Sequence, residues 1–196
     1  MKNLILYMLL SCSITISCKN NDKQEATETE NVIISSEDLN DNNNFLIDSL
    51  TVLLGSKSGS SAKGNVAFRQ RSNTVSMTAV FSGLEEGEHA VHLHEKSDCS
   101  SNDGSSAGGH WNPNGQPHGK WGDQGGYHKG DIGNFTANSR GVGTITFITE
   151  EWCIGCNDSA KDILGKSVIV HKGTDDYTSQ PSGAAGSRIS CGGIIQ

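Results

Sequence analysis

The sequence predicts an all-β domain of eight short strands, folded as a sandwich or barrel. Three observations predict it. From about residue 46 onward, short alternating segments are separated by turn residues. Gly is abundant at 24 of 196 residues, while Pro is 3 and aromatics are 6%, a composition that suits many turns better than long helices. No G-x-G-x-x-G, G-x-S-x-G or P-loop pattern opens a helical stretch, so nucleotide-binding and hydrolase readings lack support.

The strands are predicted at 50–54, 64–70, 74–81, 89–94, 132–137, 143–148, 166–171 and 188–193. Residues 50–54 are an apolar run around Thr51. Residues 64–70 carry Val66 and Phe68 two apart, and 74–81 carry Val75, Met77 and Ala79 likewise, the period of a half-buried strand. Residues 83–87 form a Gly-bounded turn into 89–94. Eight such segments point to a sandwich or barrel.

In 89–94, Val91 and Leu93 should face the core, leaving His92 and His94 together on the outer face. His89 lies three before His92 and faces the other way; it is expected to be a structural histidine bonded to backbone. Between 94 and 132 the chain is rich in Gly, Asn, Ser and Asp, without apolar periodicity. It carries His110, His118, His128 and Asp131. His171 ends the apolar run 167–170. Six of the seven histidines thus gather around two strands and one loop. Metal coordination can order a segment that lacks a core of its own. Three imidazoles with one carboxylate form a closed tetrahedral set that suits zinc. Imidazoles alone, with an open position, suit copper.

The net charge of −7 argues against a nucleic-acid partner, whose phosphates want a basic patch. No apolar run of about 18 residues appears, so no membrane-spanning helix is expected in the body. Residues 1–18 are expected to be an export signal: Lys2, an apolar stretch from Leu4 to Ile16, then Ser17-Cys18. A small residue before Cys resembles a bacterial lipoprotein processing site, with Cys18 lipidated in preference to Cys12, whose apolar lead is shorter. Residues 19–45 are acidic and polar and are expected to be a flexible tether; 46–196 form the folded domain. The protein is therefore expected in the bacterial cell envelope, lipid-anchored, facing the periplasm or the surface.

The domain closely resembles an exported, bacterial-type copper/zinc superoxide dismutase. The matching stretches are 83–84 with 87–95, Asp98-Cys99, 106–113, His118-Gly119, 130–134, 165–171 and 186–192. The resemblance covers about 50–196. It implies an eight-stranded Greek-key sandwich or flattened barrel with long metal-binding loops. It assigns copper to His92, His94, His110 and His171, and zinc to His110, His118, His128 and Asp131, with His110 bridging. Asp175 matches a carboxylate linking a copper histidine to a zinc histidine, and Arg188 matches an anion-guiding arginine. Cys99 would pair with Cys191. The implied reaction is disproportionation of superoxide to dioxygen and hydrogen peroxide by Cu(II)/Cu(I) cycling beside a structural zinc, with His110 moving a proton. A homodimer or a monomer is compatible with the family.

Three features depart from the family pattern, one of them a single extra residue between His118 and His128, expected to be absorbed in the glycine-rich loop 122–127. Cys153 and Cys156 lie in a loop between strands, and a small local disulfide is expected ahead of a metal-binding or redox pair. The segment 174–187 contains no Lys, so anion steering rests largely on Arg188. The alternative function is a dismutase-like lipoprotein that binds copper and zinc without turnover. All seven ligand positions and Arg188 are present, which favours the enzyme.

Overall fold

The structure, a computed structural model, describes residues 48–196. Eight antiparallel strands close into a barrel in the order β1-β2-β3-β6-β5-β4-β7-β8. They are β1 (Asp48–Ser56), β2 (Lys63–Arg71), β3 (Thr74–Ser82), β4 (Gly87–His94), β5 (Gly133–Ala137), β6 (Gly143–Thr149), β7 (Ser167–His171) and β8 (Arg188–Gly193). Every predicted strand is present; β1 is longer than expected at both ends. Among the described residues the only helical turn is a 3-10 turn, Ser105–Ala107. The export signal, the tether and Cys18 lie outside the described residues.

The sequence left sandwich and barrel open, and the pairing decides for the barrel. β1 joins β8 through Gly55↔Cys191 and Ser56↔Ser190, and β5 joins β6 through Ala137↔Gly143. These two seams are short, whereas β2 and β3 pair along nine residues. Closure leaves no row of exposed edge amides. β4, β5 and β6 run consecutively and β3 lies beside β6, which is a Greek key.

Alternation fills the interior. Val66 and Phe68 on β2, Val75, Met77, Ala79 and Phe81 on β3, and Val91 and Leu93 on β4 are buried in one core cluster. Phe81 meets Phe135 across the barrel at 4.8 Å between ring centroids. β2 and β3 bury one face only. β4 is buried on both faces from His89 to His94, and β7 along its whole length. Their outer faces lie under the long loops, and that covered outer face is where the histidines are.

Candidate metal centre

β4 and β7 lie side by side, pairing His92↔Ile169 and His94↔Ser167. His92 and His94 point away from the barrel core, as the two-residue period requires. The loop covers them so fully that neither is exposed. A register irregularity between Val170 and His171 turns the end of β7, the kind of bulge that re-aims a side chain beside a site. The loop is stitched to β4 by backbone bonds: Leu93 N donates to Gly130 O at 2.9 Å, Trp111 N to Leu93 O at 2.8 Å, and Gly130 N to Trp111 O at 3.0 Å. His110, His128 and Asp131 flank these bonds. The loop also has an apolar foothold that its polar composition hid, since Trp111 is buried in the main core.

Two overlapping groups of side chains result. The candidate ligand atoms of His92, His94, His110 and His171 lie within 4.8 Å of one another, and so do those of His110, His118, His128 and Asp131. His110 belongs to both. Its ring stands 4.0 Å from His92 and 4.9 Å from His94 between centroids, and 5.3 Å from His118 and 5.7 Å from His128.

The hydrogen bonds decide which nitrogen of each ring faces inward. His94 Nδ1 donates to Gly108 O at 2.9 Å and His171 Nδ1 to Gly186 O at 3.2 Å. Each then keeps a lone pair on Nε2. Those two Nε2 atoms face each other at 3.3 Å, an arrangement that repels unless a cation stands near both. His92 Nε2 donates to Asp175 Oδ2 at 2.9 Å, and His118 Nε2 to Asp175 Oδ1 at 2.8 Å. One carboxylate therefore fixes a ring from each group, the way a metal-ligating histidine is usually oriented. His110 Nδ1 meets Asp131 Oδ1 at 2.8 Å. Four buried ring nitrogens lack a well-aligned hydrogen bond: His92 Nδ1 and His110 Nε2, and His118 Nδ1 and His128 Nδ1, which stand 3.0 and 3.2 Å from Asp131 oxygens. Buried polar atoms are rarely left so. All four sit on imidazoles of the two groups, and a cation in each group would engage them.

Protonation suits cations. Burial, followed by the neighbouring imidazoles, holds His94 and His171 well below the usual histidine range. Burial lowers His110 to about 4 against the pull of Asp131. Burial opposes the charge on Asp131, yet the His110, His118 and His128 rings set against its two oxygens keep its carboxyl far below the carboxylate range. His118 is raised to about 9 by Asp131 and Asp175, despite its burial. A cation bound there displaces that proton. The donor set fits both expected ions: imidazole nitrogens only in the first group, three imidazoles and a carboxylate in the second.

A cavity of about 360 Å³ opens onto the first group and the edge of the second, with His94, His110, His128, His171, Gly186 and Arg188 in its lining. Arg188 donates from Nη1 to Gly104 O at 2.7 Å, which holds its guanidinium at the mouth. Cys99 and Cys191 are disulfide-bonded, with Cα atoms 5.8 Å apart, and tie the loop to β8 beside Arg188. Cys153 and Cys156 are also disulfide-bonded. His89 takes the structural place expected for it, with Nδ1 against His171 O at 3.1 Å and Nε2 against Glu85 O at 2.9 Å.

Sequence reasoning missed three supports of the site. Asn134 grips Asp175 by its backbone, donating from Nδ2 to Asp175 O at 2.9 Å and accepting Asp175 N at 2.8 Å. An Asn inside a strand is unfavourable enough to have been a signal. Gln180 does the same for His118, with Oε1 accepting His118 N at 2.8 Å and Nε2 donating to His118 O at 2.9 Å. Gly183 supplies room: a Cβ there would lie 1.7 Å from Asp175 Oδ1.

Known proteins bear on this geometry. The family model for copper/zinc superoxide dismutase matches residues 62–194. An extracellular copper/zinc superoxide dismutase of Drosophila melanogaster is 35% identical over 161 residues, covering 77% of this chain and 86% of that protein. One from Caenorhabditis elegans is 36% identical over 137 residues, covering 67% of this chain and 60% of that protein. A protein of Dictyostelium discoideum named copper/zinc superoxide dismutase 5 is 37% identical over 142 residues, covering 68% of this chain and 90% of that protein. Among solved structures, a double mutant of a SOD-like protein from Bacillus subtilis matches with a TM-score of 0.66 at 28% identity, covering 74% of this chain and 97% of that one. With a barrel of this topology and two histidine groups sharing one ring, the chain belongs to the copper/zinc superoxide dismutase family, a family of oxidoreductases.

Proposed function

We propose that this protein disproportionates superoxide, turning two superoxide anions and two protons into dioxygen and hydrogen peroxide. The observation that carries the reading is His110, one ring shared by two groups of ligand-type atoms. His92, His94, His110 and His171 would hold copper; His110, His118, His128 and Asp131 would hold zinc. Copper supplies a one-electron couple and zinc a fixed positive charge when they are bound.

The protein's own residues do the rest. Arg188, charged at any working pH, faces the cavity that leads to His94, His110 and His171. It draws a small anion in and orients it. Pro181, Ser182 and Gly186 of the segment before β8 form part of the cavity wall. His110 Nε2 has no hydrogen-bond partner, whereas its Nδ1 lies beside Asp131, among the atoms that would hold zinc. Nε2 is therefore the ring atom able to carry a proton toward the cavity. Asp175 keeps His92 and His118 from rotating.

Export is supported by the two disulfides, which persist in oxidising compartments, and by the relatives named extracellular. The finer reading is a lipoprotein, processed before Cys18 and anchored through it. Mass spectrometry of the membrane-extracted protein tests this, since an unlipidated N-terminus overturns it.

Dismutase activity is to be measured on protein whose copper and zinc contents are known. Full activity is expected of the unaltered chain, none of His94→Ala, and a loss of about tenfold or more in kcat/KM for Arg188→Ala. A second reading, metal binding without turnover, has one observation in its favour: the solved protein that matches is called only SOD-like. Inactive protein carrying both metals would establish it in place of the first.

A further inference from the structure

The metal ligands and Arg188 leave one part of the molecule unexplained. Residues 150–156 follow β6 and contain Glu151, buried Trp152 and the Cys153–Cys156 disulfide. This segment lies far along the chain from His128 but meets the residues on either side of it. Tyr127 Oη donates to Glu151 Oε1 at 2.6 Å. Lys129 Nζ donates to Glu151 Oε2. Trp152 Nε1 donates to Lys129 O at 2.8 Å. His128 is thus flanked by two residues held by the same short segment.

The segment is itself held firmly. The Trp152 ring packs in the core, 5.0 Å from Phe147 and 5.8 Å from Trp121 between centroids. Trp121 in turn lies 4.9 Å from Tyr127. Behind Trp152, Cys153 N donates to Lys161 O at 2.9 Å, and Ile163 N to Cys153 O at 3.0 Å. Ile154 N donates to Gln70 Oε1 at 2.6 Å. The disulfide closes the turn at this point, with Cys153 buried and Cys156 exposed. The Gly-rich loop at 122–127 has few apolar anchors, so contacts from outside it must set where His128 stands.

We propose that residues 151–156 form a strap that positions His128 for zinc, with Glu151 and Trp152 as positioning residues and the Cys153–Cys156 disulfide as the fastening. The inference rests on the zinc reading given above. Partners of this kind, one step out from the ligands, commonly change metal affinity without touching the ion.

The test measures zinc affinity of the full chain by competition with a chromophoric chelator, and the visible spectrum of Co(II) bound in zinc's place. Both are read at a temperature where circular dichroism shows every variant folded. Glu151→Ala is expected to bind zinc about 10–100-fold more weakly, with an altered Co(II) spectrum. Glu151→Gln keeps an acceptor for Tyr127 and should fall between. Trp152→Phe keeps a ring in the core but loses the donor; it and the double change Cys153→Ser, Cys156→Ser should each weaken zinc about tenfold. Copper affinity should move less than zinc affinity, because the strap's bonds run to the residues beside His128 and to none of His92, His94 and His171. Zinc affinity and Co(II) spectrum like the parent's in Glu151→Ala and the double serine variant would overturn the inference and leave the zinc reading standing. Weakening in Glu151→Ala and Trp152→Phe alone would remove the disulfide's share. No zinc on the unaltered chain would overturn both readings together.

Discussion

At the residue scale, Asp175 is the side chain on which both histidine groups lean. Its two oxygens take His92 and His118, and Tyr177 N donates to Oδ1 at 2.7 Å. The space beside it depends on Gly183, whose φ is +64°, a conformation that other residues adopt at a cost. Gly183→Ala is therefore expected to push Asp175 off the two rings and to cut zinc and copper affinity about tenfold or more, read by metal competition. A second prediction concerns the Tyr127–Glu151 contact. Burial disfavours the Glu151 carboxylate, but Lys129 and Tyr127 hold it below its ordinary 4.5. Its contribution is present above that ordinary value and is lost as pH falls through the depressed one. Glu151 raises Tyr127 from 10.0 to about 12; that contribution is whole below pH 10 and fades as pH climbs toward 12. Thermal melts of Tyr127→Phe against the parent should differ by a constant amount at neutral pH and converge above pH 10. A gap that widens there would refute the assignment.

At the scale of elements, the strands were legible because their signal is local. Val66 with Phe68 and Val75 with Met77 declare a two-residue period within a few positions. The ligand-type residues were legible for another reason: six histidines in a chain with seven stand out by type, whatever their distance in sequence. Asn134 was legible only as an oddity, an Asn inside a strand, and what it and Gln180 support was not legible. Asn134 acts on a residue 41 positions away and Gln180 on one 62 away, and neither carries a periodic or chemical mark of its partner. Closure of the barrel was likewise hidden, because it depends on two short seams rather than on any strand's own pattern. The Cys99–Cys191 disulfide is the strongest single link between elements, joining the site loop to β8 across a sequence separation of 92. The chain-entropy account assigns such a closure about 4–5 kcal/mol. Cys99→Ser with Cys191→Ser should lower Tm by about 8–20 °C, at about 2–4 °C per kcal/mol. It should also cut dismutation further than the loss of fold explains, since Gly104, which holds Arg188, is carried by the freed loop. Calorimetry and an activity assay below the new Tm separate the two effects.

At the scale of the whole molecule, the barrel and the site are stable for different reasons. The barrel has its own core, from Val52 to Ile194, of side chains almost wholly buried. The site has instead buried imidazole nitrogens without a well-aligned hydrogen bond and two Nε2 atoms 3.3 Å apart. Such groups cost free energy in the folded state unless a cation engages them. The folded state alone gathers them, so the metals bind it in preference to the unfolded chain, and binding becomes stability. At free metal a thousandfold above its dissociation constant, each ion contributes about 4.1 kcal/mol. That corresponds to a rise in Tm of about 8–16 °C per ion. Removing both metals with a chelator should therefore lower Tm by tens of degrees while the far-ultraviolet spectrum below the new Tm keeps its β-sheet form, because the barrel core is built of side chains that touch neither ion. The loop should respond most. Amide exchange should quicken in residues 108–131, whose bonds to β4 at Leu93 have only Trp111 and Trp121 as apolar support. It should stay slow in β2 and β3. If β2 and β3 exchange as fast as the loop after chelation, the barrel does not stand on its own core and the division drawn between the two parts is wrong.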